Sequence, residues 1–297
     1  MPYTPLVVFI CVAFLFMFLC MQWLVVVPLF RDYELRGVAV AVLTLYTLVW
    51  SMSTWSYKLC IEVHPGRPPL DYVPPGATES ELREERQRAL QETLSPIEPE
   101  FDRLSRRFAP VRFCKPCGAF KPPRAAHCKS CNACCLLFDH CCPFIGGCLG
   151  YFNRKVFQLF LWYTVLGAAL SFALYCWRLI VVMSALSRAT ELADRRYLLA
   201  SMILIIVQFV ILFVVIFAVG SLAAHQFNML LLNTTSVEYR QYRHDRYDAI
   251  EAGRPFRWRY DVGGSWANFK SCMGNSIPAM LWPSVPTGDG YSWRTAI

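Results

Sequence analysis

Charge is scarce in this chain. Asp, Glu, Lys and Arg make up 17% of its 297 residues against 56% hydrophobic positions, and four long stretches carry almost none. A water-soluble domain disperses its charge over its surface, so this blockwise pattern points to a multi-pass membrane protein instead. The poorly charged stretches run from about Leu6 to Leu29, Val38 to Leu59, Phe157 to Met183 and Tyr197 to Leu222. Each meets the roughly 20 helical residues that cross a hydrocarbon layer about 30 Å thick. A helix also satisfies its own backbone hydrogen bonds, which an open chain in lipid requires.

The first stretch lacks the basic leader and short apolar core of a cleaved signal peptide, and it carries the bulky Phe16 and Phe18. It is expected to be a retained anchor. Basic residues are few in the connections 31–37 and 184–196, which hold five, whereas 58–155 holds fifteen and the tail after Ala224 holds eight. That asymmetry places the long loop, the tail and both termini in the cytosol. The net charge of +8 is then an orientation signal and an attraction for anionic lipid headgroups, not a sign of nucleic-acid binding.

The segment from Cys114 to Cys148 holds nine of the fourteen cysteines and two of the five histidines, and it is poor in aliphatic side chains. Without an apolar core, and in a reducing compartment, such a segment is expected to be organised by metal rather than by disulfides. The candidate ligands are Cys114, Cys117, His127, Cys128, Cys131, Cys134, Cys141 and Cys148, enough for two closed tetrahedral zinc sites. A sequential partition would group the first four and the last four. An interleaved one would group Cys114, Cys117, His127 and Cys134, then Cys128, Cys131, Cys141 and Cys148. Neighbours along an extended strand point in opposite directions, which favours separate ions for His127 and Cys128.

Cys135 reads as a small buried hydrophobe. Cys142 follows Asp139, His140 and Cys141. On an extended segment His140 and Cys142 share a face while Cys141 turns to the other. His140 is placed to take the thiol proton and Asp139 to fix the ring, the arrangement that activates a thiol nucleophile. A reactive thiol this close in sequence to a membrane helix suits thioester exchange with a long-chain acyl-CoA. The fatty tail would remain among the helices, each buried methylene contributing about 0.8 kcal/mol. The alternative functions are a catalytically silent zinc scaffold or trafficking adaptor, and a RING-like ubiquitin ligase. The second is disfavoured because the long central loop between RING ligand groups is missing.

The gapped run Cys114, Cys117, Lys121, Pro122, Arg124, His127, Cys128, Cys131, Cys134, Asp139, His140, Cys142, Pro143, Cys148, Gly150, Asn153, Phe157 resembles the cysteine-rich domain of the DHHC family of protein S-acyltransferases. His64-Pro65-Gly66 stands where that family has Asp-Pro-Gly. Thr235-Ser236-Val237-Glu238 is similar to its Thr-Thr-x-Glu motif, and Gly264, Asn268 and Gly274 to its C-terminal motif. The resemblance implies interleaved zinc sites, an acyl-enzyme on Cys142 activated by Asp139 and His140, Thr235 as a positioning residue and Asn268 as a contact to the helix bundle. It also implies a donor such as palmitoyl-CoA and acceptor cysteines on membrane-associated proteins. The departures are Cys141 for a histidine ligand, Phe144 for tryptophan, Gly147 for asparagine and His64 for aspartate.

The expected fold class is therefore an all-α multi-pass membrane protein, with four transmembrane helices and a cytosolic zinc-stabilised domain of short β-hairpins. Its expected divisions are helices 1 and 2 in 1–60, a linker with an amphipathic helix from Glu79 to Leu94 in 61–109, and the cysteine-rich catalytic domain in 110–156. Helices 3 and 4 follow in 157–224 and a cytosolic region in 225–297. Expected partners are the lipid bilayer, acyl-CoA and membrane-associated protein substrates, with room for an accessory subunit. The expected location is the Golgi, the endoplasmic reticulum or the plasma membrane.

Overall fold

The computed structural model describes residues 4–31, 35–91 and 109–293. The four apolar stretches form helices α1 (Pro5–Arg31), α2 (Arg36–Glu62), α4 (Arg154–Arg188) and α5 (Leu192–Leu231), all long and apolar enough to cross a membrane. Between α2 and α4 lie α3 (Glu79–Gln91) and six short strands, and after α5 come α6 (Tyr239–Glu251), α7 (Ser265–Met273) and α8 (Ile277–Leu281). The end of the expected amphipathic helix, through Leu94, lies outside the described residues, as does the rest of its linker to residue 108.

Two compact units are present. The first comprises residues 1–58 and 158–225 and contains most of the four long helices. Its buried centre is built on Met21, Leu24, Tyr46, Ala168, Tyr175, Ile205 and Leu212. Because lipid gives packed helices little hydrophobic advantage, polar and small contacts matter between them. Ser53 and Thr164 share a hydrogen bond of 2.8 Å, the Ser171 hydroxyl donates to the Tyr46 oxygen at 3.4 Å, and Phe18 packs on Trp50 with ring centres 4.6 Å apart.

The second unit comprises residues 59–157 and 226–297. Its strands form three separate antiparallel hairpins: β1 (Phe113–Cys114) with β2 (Ala119–Phe120), β3 (Ala126–Cys128) with β4 (Ala133–Cys135), and β5 (His140–Cys142) with β6 (Gly147–Leu149). These are one design used three times. Cys114, Cys128 and Cys142 oppose Ala119, Ala133 and Gly147 across their pairs. The turns bend through Gly118, Asn132 and Gly146, each with a positive φ of 66°, 48° and 66°. Only glycine and asparagine adopt that conformation at little cost, which explains their recurrence at a fixed interval.

Helix α3 docks on the first hairpin. The Phe113 N–H donates to the Glu85 carboxylate at 3.1 Å, Lys115 Nζ to the Leu90 carbonyl at 2.9 Å, and the Arg86 guanidinium lies over the Phe113 and Phe120 rings. The segment after α2 forms a further edge. Gly66, with φ of 102°, accepts through its carbonyl from the Leu136 N–H at 3.0 Å, and the Pro65 carbonyl accepts from Phe152 at 3.3 Å. Gly150 passes so close to this edge that any side chain there would collide with the Cys135 sulfur and the Leu136 and Pro65 carbonyls.

The tail is fastened to the same unit by buried polar groups. Arg124, on the loop between the first two hairpins, grips both oxygens of Glu238 at 2.8 and 2.7 Å and the side-chain oxygen of Asn233 at 3.0 Å. Its guanidinium lies 4.3 Å from the centre of the Tyr260 ring and 4.5 Å from that of Trp293. Lys155 donates to the Ala279 carbonyl at 2.6 Å and the Ser284 hydroxyl at 2.7 Å. Asn268 donates to the Leu231 carbonyl at 3.0 Å and accepts from the Val262 N–H at 2.9 Å.

Candidate active site and metal sites

The hairpins bring the eight candidate ligands into two groups. Cys114, Cys117, His127 and Cys134 form one, and Cys128, Cys131, Cys141 and Cys148 the other, with donor atoms within 4.8 Å of one another in each. This is the interleaved grouping. Every member of the second group stands fourteen residues after its counterpart in the first, so the second cluster is the first moved along by one hairpin. His127 Nδ1 lies 3.5 Å from Cys114 Sγ and 3.3 Å from Cys117 Sγ, and Cys131 Sγ lies 3.8 Å from Cys141 and 3.3 Å from Cys148. Tetrahedral bonds of about 2.3 Å from zinc to sulfur separate ligands by roughly 3.8 Å, so both clusters fit such an ion.

The proton affinities in these clusters are those of thiols competing at close range. Cys114, accepting from Cys134, is pulled down to about 5, while the same contact pushes Cys134 up. Burial and the neighbouring sulfurs push Cys131 and Cys141 up to about 12. A divalent cation in each cluster would relieve this repulsion and hold its sulfurs as thiolates.

One further step of fourteen residues leads from Cys114 and Cys128 to Cys142, and there the pattern stops. The positions corresponding to the other three ligands are Ile145, Lys155 and Trp162. Cys142 therefore occupies a ligand position in a hairpin without a metal cluster. It is 2% exposed, whereas Cys141 on the opposite face of the same strand is exposed.

Beside it, His140 Nδ1 is 2.6 Å from Asp139 Oδ2, the ring meets Phe157 edge-on at 6.2 Å, and Cys142 is near enough to raise its proton affinity. Asp139 is wholly buried and accepts three more hydrogen bonds. The Ser236 N–H donates to Oδ1 at 2.6 Å, the Ser236 hydroxyl to Oδ2 at 2.9 Å, and Gln226 Nε2 to Oδ2 at 3.1 Å. Burial alone would raise this carboxyl. The His140 bond, the positive Arg154 and the Ser236 N–H outweigh it and hold Asp139 down at about 2. Burial likewise opposes charge on His140, but Asp139 and Cys142 raise it to about 10. At neutral pH the dyad is therefore a carboxylate and an imidazolium, with the positive ring against the sulfur.

Thr235 does not touch Asp139. Its hydroxyl accepts from the Glu238 N–H at 3.2 Å while its own N–H donates to Glu238 Oε2 at 3.0 Å. This reciprocal cap starts the turn leading into α6 and sets Ser236 against Asp139. The sequence names Ser236 only as a member of the Thr-Thr-x-Glu-like motif and gives Gln226 no role, because they lie 97 and 87 residues from the carboxylate they support. The Thr-x-x-Glu spacing of the turn carries no mark of what the turn faces.

The arrangement defines a class: an ionised Asp-His pair beside a buried thiol, mounted on metal-competent hairpins in a chain with four apolar helices. Residues 108–243 match the family model described as DHHC palmitoyltransferase. The chain is 28% identical to "Probable protein S-acyltransferase 16" of Arabidopsis thaliana, over 84% of this chain and 79% of that protein. It is 28% identical to "Palmitoyltransferase PFA3" of Debaryomyces hansenii over 61% of this chain and 42% of that one. It is 36% identical to "Palmitoyltransferase ZDHHC2" of Homo sapiens over 45% and 37%. The chain thus spans most of the first relative and well under half of the other two. Over residues 108–243 the chain is therefore similar to the DHHC family, and these relatives are named protein S-acyltransferases and palmitoyltransferases.

Proposed function

We propose that this chain transfers a long-chain acyl group, palmitoyl in the first instance, from acyl-CoA to cysteines of membrane-associated proteins through a thioester on Cys142. The observation that carries this reading is the Asp139–His140 pair at 2.6 Å, with Cys142 two residues further along the same strand and near enough to raise the imidazole's proton affinity. The Cys142 sulfur, as thiolate, attacks the donor's carbonyl carbon. A new carbon–sulfur bond forms as the bond to CoA breaks, and the His140 imidazolium gives its proton to the departing CoA sulfur. Neutral His140 then takes the proton of an acceptor thiol, whose sulfur attacks the acyl-Cys142 carbonyl and returns Cys142 as leaving group.

Asp139 would hold the His140 ring in place and stabilise its charge in both steps. Two zinc ions, one held by Cys114, Cys117, His127 and Cys134 and the other by Cys128, Cys131, Cys141 and Cys148, would supply the rigidity of hairpins that have little apolar core. With Cys141 in place of a nitrogen ligand, the second ion would be held by four sulfurs, a set that zinc accepts. The distribution of basic residues supports a cytosolic position for the catalytic module and both termini, in the Golgi, the endoplasmic reticulum or the plasma membrane.

The test is self-acylation of the purified chain in nanodiscs with labelled palmitoyl-CoA, comparing wild type, Cys142→Ser and Cys141→Ser and measuring zinc on the same samples. Hydroxylamine-sensitive label lost in Cys142→Ser at full zinc content supports the acyl-enzyme. Label that persists there moves the nucleophile elsewhere, and no label in zinc-loaded wild type favours the silent scaffold.

A further inference from the structure

The tail changes character after α6. That helix carries six charged side chains in thirteen residues, as a surface facing water requires. Between Asp261 and Asp289, by contrast, Lys270 is the sole charged residue in the sequence, although this stretch lies outside the four long apolar helices. Its helices α7 and α8 pack on each other at Gly274, where an added side chain would meet Ala279 at 2.9 Å, and they turn Phe269, Met273 and Met280 inward. The outward side of a helix buried on one face carries polar groups when it meets water. Here it carries Trp266, Ile277, Leu281 and Trp282, which are 61, 72, 50 and 52% exposed. Apolar side chains exposed together over so short a stretch mark an interaction surface.

Two anchor points fix where this surface stands. Asn268, on α7, donates to the carbonyl of Leu231, the last residue of α5, at 3.0 Å. Lys155, the second residue of α4, donates to the Ala279 carbonyl in α8 at 2.6 Å and to the Ser284 hydroxyl just beyond it at 2.7 Å. Phe227, one turn before the end of α5, meets Phe269 edge-on at 6.0 Å. The two short helices are therefore tied to the points where α4 begins and α5 ends.

We infer that α7 and α8 lie in the plane of the bilayer that α4 and α5 cross, with Trp266, Ile277, Leu281 and Trp282 at the boundary between lipid headgroups and acyl chains. The inference rests on the membrane reading of the long helices. A stretch interrupted by Pro278 and Pro283 is too short to span, but its tryptophans suit the interface, where the ring meets apolar chains and the N–H meets water and headgroups. Lys270, 5.9 Å from the centre of the Trp266 ring, can extend its ammonium from the same edge to headgroup phosphates. A second copy of the chain or an acceptor protein could also cover apolar side chains, but neither has reason to do so at the ends of α4 and α5. Because the tail is joined to the hairpins through Arg124 and Glu238, this in-plane anchor sets the height of the hairpins above the lipid.

The test places the photoreactive residue p-benzoylphenylalanine at one position at a time in the full chain, reconstituted in phosphatidylcholine vesicles, and reads lipid adducts by mass spectrometry after irradiation. Trp266 and Trp282 probe the proposed surface. Tyr247 on α6 and Phe213 within α5, both 61% exposed, serve as the water-facing control and as a separate report on the membrane reading. Zinc content equal to wild type certifies each fold, and a variant that loses zinc is replaced by the same substitution at Ile277 or Leu281. Lipid adducts at Trp266 and Trp282 are expected at about five times the Tyr247 yield or more. Yields no higher than at Tyr247, with adducts present at Phe213, would overturn the inference and leave the membrane reading standing. Adducts between chains in place of lipid adducts would overturn it too, by making the surface a contact between copies. Absence of lipid adducts at Phe213 would overturn the membrane reading and the inference together.

Discussion

Ser236 closes on Asp139 from two directions, its backbone N–H 2.6 Å from one carboxylate oxygen and its hydroxyl 2.9 Å from the other. The residue that orients the His140 imidazole is therefore itself oriented from the far side of the fourth long helix in sequence. Ser236→Ala removes one of these bonds and keeps the other. A hydrogen bond to a charged acceptor is worth about 1.5–3 kcal/mol, so the self-acylation rate should fall roughly ten- to a hundredfold while zinc content stays constant. A rate within twofold of wild type would show that the N–H alone fixes the carboxylate.

Arg124 and Glu238 form the buried joint between the hairpins and the tail, with side chains 0% and 5% exposed and a shortest contact of 2.7 Å. Removing one partner of such a pair strands the other charge, at a cost of about 3–5 kcal/mol. Glu238→Gln should lower the melting temperature measurably and reduce self-acylation, since Thr235 and Ser236 take their positions from the same turn. Arg124→Lys should also fail to restore stability, because an ammonium cannot engage both carboxylate oxygens and lie flat between Tyr260 and Trp293. Calorimetric melts of both variants, with wild-type stability in either, would remove this joint from the account.

Much of this was legible in the sequence, for identifiable reasons. The long helices declare themselves by apolar length, and the two metal clusters by cysteine spacing and strand alternation, which separates His127 from Cys128. Asp139, His140 and Cys142 fall within four consecutive residues, so the pairing of Asp139 with His140 could be anticipated without coordinates. What was hidden depends on distant chain segments meeting: Ser236 and Gln226 against Asp139, Glu238 against Arg124, and Lys155 against α8. The docking of α3 was hidden too, because its charged sequence resembles a solvated spacer and only Glu85, Arg86 and the Leu90 carbonyl reveal the contact.

Metal removal should distinguish structure from chemistry. Cys141→His restores a nitrogen ligand at the second cluster and should retain two zinc ions per chain, whereas Cys141→Ala should retain fewer than two and expose the second and third hairpins to protease. A chelator that strips wild type should abolish self-acylation together with protease resistance. Full resistance in the metal-free chain would mean that packing alone sustains the hairpins.

His64 supplies a pH-dependent contact. Its Nδ1 accepts from the Gly66 N–H at 3.1 Å, the place of an acceptor that a carboxylate would fill. Partial burial and the neighbouring Arg67 lower its proton affinity, because only the neutral ring can accept. Its contribution is therefore present above the ordinary histidine value near 6.5 and is lost as pH falls through the lowered one. Wild type should lose protection of the Gly66 amide from hydrogen exchange as pH falls below the ordinary histidine value, whereas His64→Asp should keep it over the same range. Parallel behaviour of the two proteins would dissociate the turn from His64.

The fourteen-residue recurrence makes a sharper prediction about Cys142. Its hairpin has the form that presents metal-competent ligands in the other two, but the partner position holds Ile145, which is buried at 4% exposure. Ile145→Cys would place Cys142 and a second thiol at the separation found for Cys114 with Cys117 and Cys128 with Cys131, with His140 available as a third donor. Added zinc should then slow self-acylation of the variant about tenfold, at concentrations that leave wild type unaffected. A mild chelator that spares the two resident ions should restore it. Unequal zinc sensitivity with equal melting temperatures would establish that the nucleophile stands at a vacated ligand position. Equal sensitivity would show that the third hairpin differs from the others in more than its missing partner.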